Sequence, residues 1–281
     1  MSESVTVPWV RGRKRRDGHE PVVMVTAYDE PWARLVDAAG VDLILVGDTL
    51  AEIVLGYEDT LSVGMDDMVH HVGAVARARS RALVIGDMPW MSYHTEPFDA
   101  VRNAARLIRA GAGAVKLEGG RRRLGAVRAI LDAEIPVIGH LGLTPQSVHV
   151  MGGYKVQGRQ VEAAEDLVAD AVALGEAGCF GIVLEGVPDV LADRVTAEIS
   201  VPTIGIGAGG GCDGQVLVLH DLLGMSKRPA PKFVRRYAEV GEIVTSAVAQ
   251  YAADVRSGAF PSDAESYHAS SELREALTSR A

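Results

Sequence analysis

Eight short runs rich in valine, isoleucine and leucine recur along the chain, and they limit the possible folds more than any other feature. They are Val22–Tyr28, Asp42–Asp48, Ala82–Met88, Ala114–Gly119, Pro136–Leu141, Gly181–Gly186, Pro202–Gly209 and Gln215–Asp221. Each is apolar at successive positions, as strands buried on both faces are. Between most of them lie segments with helical periodicity. Met65, Met68, Val69, Val72 and Val75 share one face. So do Phe98, Val101, Ala105 and Ile108, and again Ala164, Leu167, Ala171 and Leu174. A last pattern, Phe233, Tyr237, Val240, Val244, Ala247 and Tyr251, follows the eighth run. Strands alternating with helices predict a parallel α/β sheet, and eight of them favour a closed (β/α)8 TIM barrel over an open doubly wound sheet. The gap between the seventh and eighth strands, Gly210–Gly214, is too short for a helix. The reading is one domain over residues 1–281. Its barrel occupies about 20–225 and a helical extension about 230–268. The ends, before about residue 18 and after about 268, read as loosely held.

Composition narrows the function. A net charge of -9 disfavours nucleic acid, which calls for a basic face. The basic run Arg11–Arg16 reads as a solvated terminal segment rather than a targeting or phosphate-binding arm. No run approaches the length of a membrane span, and the start MSESVTVPWV lacks a signal-peptide pattern. The two cysteines, Cys179 and Cys212, form no metal-binding spacing, so a reducing, cytoplasmic setting is expected.

Charge falls at the strand ends. Asp48, Asp87, Lys116 with Glu118, His140 and Glu185 end the second to sixth runs. In a barrel those ends form the active-site face. An aspartate after a strand commonly caps the next helix, and Lys116 and Glu118 can pair with each other. Five successive strands ending this way exceed what capping explains. Buried charges need partners or a metal. Three carboxylates suit a hard divalent cation such as Mg2+, and with no HExxH or cysteine cluster zinc is disfavoured. A 2-oxo acid chelates such an ion through its carboxylate and keto oxygens, which favours an enolate. Glu185 or His140 can serve as the base. The stretch GIGAGGG, Gly205–Gly211, fits either an anion grip or a plain tight turn. His70, His71 and His94 read as packed or solvated, Arg121–Arg123 as a solvated helix start, and Tyr28 and Asp29 as residues near the mouth.

The segments TAYDEPWARLVDAAGVDLILVGD, VKLEGG, GHLGLTPQSV, GGYKVQGR and VPTIGIGAGGGCDGQ together resemble the ketopantoate (3-methyl-2-oxobutanoate) hydroxymethyltransferase family, from about Gly18 to about His268. The resemblance implies a TIM barrel of the phosphoenolpyruvate/pyruvate-type superfamily. It assigns Asp48 and Asp87 as metal and substrate ligands, and Glu118 as a metal ligand directly or through water. Thr49, Lys116 and His140 become substrate-binding residues, and Glu185 the proton acceptor. It further implies one Mg2+ per subunit, 5,10-methylenetetrahydrofolate as cosubstrate, a step in pantothenate biosynthesis and a homodecamer with exchanged C-terminal helices. This chain departs from the pattern in VGDTLAE, where Thr49 replaces serine and Glu52 adds a charge, and in GDMPW, where Trp90 replaces phenylalanine. The competing reading is another metal-dependent 2-oxo-acid enolate enzyme, a lyase or mutase on the same barrel. Such enzymes generally carry a cysteine or a distinctive loop between strands four and five, and no cysteine lies there. A silent barrel would lack at least one of Asp48, Asp87 and Glu185, and all three are present.

Overall fold

A computed structural model describes residues 4–226 and 229–279. After a short helix, α1 (Val7–Arg11), the chain alternates through β1 (Val22–Thr26), α2 (Glu30–Ala38), β2 (Leu43–Val46), the one-turn α3 (Leu50–Ile53), α4 (Met65–Ala78), β3 (Leu83–Asp87) and α5 (Pro97–Ala110). It continues through β4 (Ala114–Glu118), α6 (Leu124–Asp132), β5 (Val137–Gly142), the short α7 (Val148–Met151), α8 (Val161–Ala177), β6 (Gly181–Glu185) and α9 (Asp189–Glu198). The last elements are β7 (Thr203–Ile206), β8 (Gly214–Leu217), the one-turn α10 (Leu219–Leu222), α11 (Val240–Ser257) and α12 (Ser271–Thr278). The eight strands are parallel and close in chain order, β8 pairing with β1. The barrel predicted from the apolar runs is therefore the fold.

Two hydrophobic shells hold it. Between strands and helices, Met68, Val72 and Val75 of α4 and Leu167, Ala171 and Leu174 of α8 are buried, on the faces their periodicity gave. In α5 Ala100, Ala104 and Leu107 are buried and Val101, Ala105 and Ile108 of the predicted face pack partly buried beside them, while Phe98 is exposed. Gly86 of β3 makes room for Leu107, since an added Cβ would sit 3.3 Å from it. The inner shell, with Met24, Leu43, Ile85, Ile138 and Ile204, fills the barrel towards the strand N-termini, and Val5 and Val10 join it from below.

The N-terminal segment is packed through Val5, Val10 and Lys14, against the loosely held reading, whereas Arg11, Arg15 and Arg16 are exposed as a solvated run is. Val10 is wholly buried and Lys14 is 2% exposed. The Lys14 ammonium donates to Asp213 Oδ2 at 2.7 Å, to the Thr196 carbonyl at 2.6 Å and to the Val201 carbonyl at 3.3 Å. Arg15 and Arg16 donate to the carbonyls of Gly210 and Ala197. Of this basic run Lys14 alone is buried, while Arg15 and Arg16 reach their carbonyls from exposed positions.

Two other boundaries differ. The eighth strand ends at Leu217 and a helical turn starts at Leu219, where Leu219 N donates to Thr26 Oγ1. The final long helix starts at Val240 rather than Phe233, because Phe233 folds back against Gly207. No helix follows β7, and only one turn follows β8. The barrel is therefore bare beside α2, in an apolar groove of about 860 Å3 lined by Trp32, Leu35, Val36, Leu222, Tyr237 and Val240. No residue of α11 is buried. Among the described residues no helix is long and apolar enough to cross a membrane.

Candidate active site

Strand register assembles the site. Asp87 of β3 stands level with Lys116 of β4, and Glu118 of β4 with His140 of β5. Gly142 pairs with Glu185 at the ends of β5 and β6. Gly142 has φ +91°, and a Cβ there would lie 2.2 Å from the Glu185 carbonyl. Only glycine lets β5 turn this close to the backbone that carries Glu185. Asp48 follows β2, and its backbone N–H donates to Asp87 Oδ2 at 3.1 Å.

The side chains form a connected line. Lys116 Nζ lies 2.8 Å from Asp87 and 3.6 Å from Glu118. His140 lies between two carboxylates, with Nδ1 3.3 Å from Glu118 and Nε2 3.2 Å from Glu185. Neither imidazole contact is aligned as a hydrogen bond, and Glu118 Oε1 also has none. Asp48, Asp87, Lys116, Glu118 and His140 are all buried, whereas the Glu185 side chain is 16% exposed.

This crowding perturbs the ionisation equilibria. Burial, reinforced by the charges of Asp87 and Glu118, holds the Asp48 carboxyl well above its usual range. Burial also raises Asp87, in spite of the adjacent Lys116 ammonium. For Glu118, Lys116 and His140 outweigh burial and the pKa falls. Burial lowers Lys116, but Asp87, Glu118 and Asp48 outweigh it and the ammonium is retained. Burial and Lys116 likewise lower His140, while Glu118 and Glu185 more than offset them and raise it to about 9.

Two neutral residues that the sequence reading passed over complete the cluster. Gln146, after β5, donates from Nε2 to Asp48 Oδ2 at 2.8 Å and to the Met88 carbonyl at 3.0 Å. Its backbone N–H donates to Glu118 Oε2 at 3.0 Å. Tyr93, after β3, donates to Gln146 Oε1 at 2.6 Å and accepts from the Glu118 backbone N–H at 3.1 Å. Tyr28 is buried with its hydroxyl unpartnered, and burial followed by the Asp48 charge raises its pKa. Asp29 instead caps α2 by accepting from Trp32 N. His71 bonds the Tyr28 carbonyl and His94 stacks on Tyr93, so both are packed residues as read. Arg121 is exposed and paired with Asp166 and Asp170.

Above the cluster opens a cavity of about 980 Å3, lined among others by Thr49, Glu52, Glu185, Ile206 and Phe233. The buried five lie behind this lining, so Glu185 stands between them and the open space. The Gly205–Gly211 stretch contributes Gly207 and Gly209 to the wall. It is held by its carbonyls, with Gln215 donating to that of Gly209 and Arg15 to that of Gly210. Gly207, at φ +62°, leaves room for the Phe233 ring, which an added Cβ would meet at 2.6 Å.

Solved structures of similar fold include a phosphonopyruvate hydrolase complexed with oxalate and Mg++ (TM-score 0.60, 14% identity, 98% of this chain and 95% of that one). Another is 2,3-dimethylmalate lyase, a member of the PEP mutase/isocitrate lyase superfamily (TM-score 0.57, 16% identity, 99% of both chains). At these identities the likeness concerns the barrel alone. Sequence relatives are much nearer. The 3-methyl-2-oxobutanoate hydroxymethyltransferases of Koribacter versatilis and Syntrophomonas wolfei are each 54% identical to the chain, covering 94% and 97% of it and 90% and 99% of their own lengths. The enzyme of that name from Nitratidesulfovibrio vulgaris is 57% identical over 88% of the chain and 81% of its own. The model of the ketopantoate hydroxymethyltransferase family matches residues 5–263. By that match and those identities, the chain is a hydroxymethyltransferase and belongs to the ketopantoate hydroxymethyltransferase family.

Proposed function

We propose that the chain transfers a hydroxymethyl group from 5,10-methylenetetrahydrofolate to C3 of 3-methyl-2-oxobutanoate, giving 2-dehydropantoate for pantothenate synthesis, with one Mg2+ per subunit. The observation that carries this reading is the position of Glu185, between a buried acid cluster and a roomy cavity. The donor set fits a divalent cation. Asp48, Asp87 and Glu118 place three buried carboxylates against one ammonium, and Glu118 Oε1 is left without an aligned donor. A cation would relieve that excess of negative charge. Among the described residues no three acidic, histidine or cysteine side chains converge as a ready cage, and Lys116 lies within reach of both Asp87 and Glu118. Mg2+ needs no such cage, since it takes one or two carboxylates and completes its shell with water and substrate oxygens. Bound there, it supplies a Lewis acid for the carboxylate and keto oxygens of the substrate.

The chain's own groups do the rest. The Thr49 hydroxyl, in the cavity wall, binds the substrate carboxylate, and Lys116 binds substrate. Glu185 accepts the C3 proton, and His140 at 3.2 Å steadies its carboxylate. The resulting enolate carbon bonds to the folate methylene carbon, the methylene–nitrogen bonds break, and one water supplies the product hydroxyl as tetrahydrofolate leaves. The cavity is large enough for a bulky one-carbon donor, and its apolar wall of Ile206 and Phe233 suits a flat ring. Self-association as a homodecamer belongs to the same reading. The bare groove beside α2 and the unburied α11, with Ile243, Val248 and Tyr251 exposed, are apolar surfaces of the kind that subunit contacts cover. A monomer in sedimentation would remove that part. A cytoplasmic location accords with the two free, buried cysteines.

The test is solvent deuterium exchange at C3 of 3-methyl-2-oxobutanoate, followed by NMR with Mg2+ and then with EDTA, before 5,10-methylenetetrahydrofolate is added. Exchange that needs the cation, then product on adding folate, is the expected result. Active, folded protein without exchange would turn the reading to another 2-oxo acid. A separate expectation concerns the cation. Asp87→Ala should weaken Mg2+ binding by more than about 100-fold in titration calorimetry, beyond the roughly 10- to 100-fold loss typical of an outer partner, and unchanged affinity would move the cation elsewhere.

A further inference from the structure

We infer that Gln146 is the positioning residue of the acid cluster: its amide holds the Asp48 carboxylate, and its backbone N–H holds that of Glu118, in the set that would bind the cation. This inference rests on the proposed cation site and goes beyond it by naming a neutral residue that sets its geometry.

Hydrogen-bond bookkeeping settles the orientation of the amide. Turned the other way, Gln146 Oε1 would face Asp48 Oδ2 and the Met88 carbonyl, two acceptors at 2.8 and 3.0 Å. As placed, both N–H bonds are used, one on each of these oxygens. The carbonyl oxygen is held in turn by the Tyr93 hydroxyl at 2.6 Å. Tyr93 also approaches the Glu118 carbonyl at 3.3 Å, but it has a single proton, and the shorter contact takes it. The Glu118 backbone N–H, donating to Tyr93 at 3.1 Å, closes the circuit.

The circuit joins three strand ends. Asp48 comes from the β2 end, Tyr93 and Met88 from the loop after β3, and Glu118 from β4, while Gln146 arrives from the loop after β5. Among the described residues the Asp48 carboxylate accepts one side-chain hydrogen bond, the one from Gln146. Without it, nothing described fixes the rotation of a carboxylate that Asp87 and Glu118 repel. Gln146 and Tyr93 are themselves buried, so water does not readily replace either. A buried amide saturated in this way fixes its neighbours rather than reacting. Gln146 therefore acts through Asp48 and Glu118 and has no chemical step of its own.

The test uses Mn2+ as the probe, titrated by calorimetry and by the loss of its free EPR signal, on wild type, Gln146→Met and Tyr93→Phe. Circular dichroism checks the fold of each. Gln146→Met keeps the length and removes the side-chain hydrogen bonds, while the backbone N–H to Glu118 remains. Its Mn2+ affinity should fall by about 10- to 100-fold, as for other outer partners of metal ligands. Tyr93→Phe deletes one oxygen and should lower affinity in the same direction, by about threefold to tenfold. In C3 exchange, the Mg2+ concentration for half-maximal rate should rise by a similar factor while the rate at saturating Mg2+ changes less, a split that simple loss of folded protein does not give. Folded Gln146→Met with wild-type Mn2+ affinity would overturn the inference. If Gln146→Met does not fold, wild-type affinity in Tyr93→Phe would do so. Wild type that binds no Mn2+ would instead overturn the proposed cation site, and the inference with it.

Discussion

Replacing Glu185 by glutamine is expected to slow exchange of the C3 proton of 3-methyl-2-oxobutanoate by about 10²- to 10⁴-fold, the usual contribution of a positioned general base. The substitution keeps the side chain's size and its place beside His140, so the buried cluster keeps its shape. Binding of substrate and Mg2+ should therefore persist, and the loss should fall on the proton-transfer rate. Exposure singles out Glu185. Asp48, Asp87 and Glu118 lie behind the cavity lining, and only Glu185 among the four carboxylates faces the open space. His140 is fully enclosed between Glu118 and Glu185, and its pKa of about 9 leaves it mainly protonated at neutral pH, a poor acceptor. Exchange by NMR in deuterated solvent reads this directly. A wild-type rate in Glu185→Gln would take the base role away from Glu185.

The second large effect lies at the opposite end of the barrel and concerns stability. Asp213→Ala is expected to cost about 3–5 kcal/mol, because it leaves the Lys14 ammonium buried without its counter-charge. Asp213 also accepts from Arg15 N at 2.8 Å and Thr203 N at 3.0 Å, so those donors lose their partner as well. The two carbonyls that remain on Lys14 do not carry a full charge. Removing both members, as Lys14→Met with Asp213→Leu, should recover much of the loss, since an apolar pair avoids the desolvation that the ion pair must overcome. Urea unfolding monitored by circular dichroism checks both variants. A loss below about 1 kcal/mol for Asp213→Ala would mean that the ammonium reaches water, as surface pairs do.

The two ends of the barrel differ in how far the sequence exposes them. The mouth was readable because charge ending an apolar strand is conspicuous, and parallel pairing then brings Asp87 level with Lys116 and Glu118 level with His140. Gln146 and Tyr93 were not readable as site residues. An amide and a phenol carry no charge to stand out, and their roles come from contacts 53 and 98 positions apart along the chain. Lys14 misled for the opposite reason. It belongs to a run of basic residues, which suggests solvent, and its acidic partner lies 199 positions away. On α5 the spacing misleads at Phe98, which is large and apolar yet exposed, while Val101, Ala105 and Ile108 of the same face pack against the core. The start of α11 was placed early because Phe233 and Tyr237 fit the helical spacing while packing elsewhere, beside Gly207 and in the groove next to α2.

The Lys14 contacts also bear on the order in which the molecule is built during translation. Lys14 is made well before its partners, Thr196, Val201 and Asp213. At a synthesis rate of about 5–20 residues per second, roughly 10–40 s separate the two ends of that contact. Throughout the interval Val5 and Val10 have no completed barrel to enter, since β7 and β8 are not yet made. The stopper is thus produced before the ring it closes, and the nascent chain must keep this apolar segment from other partners until the strands have closed.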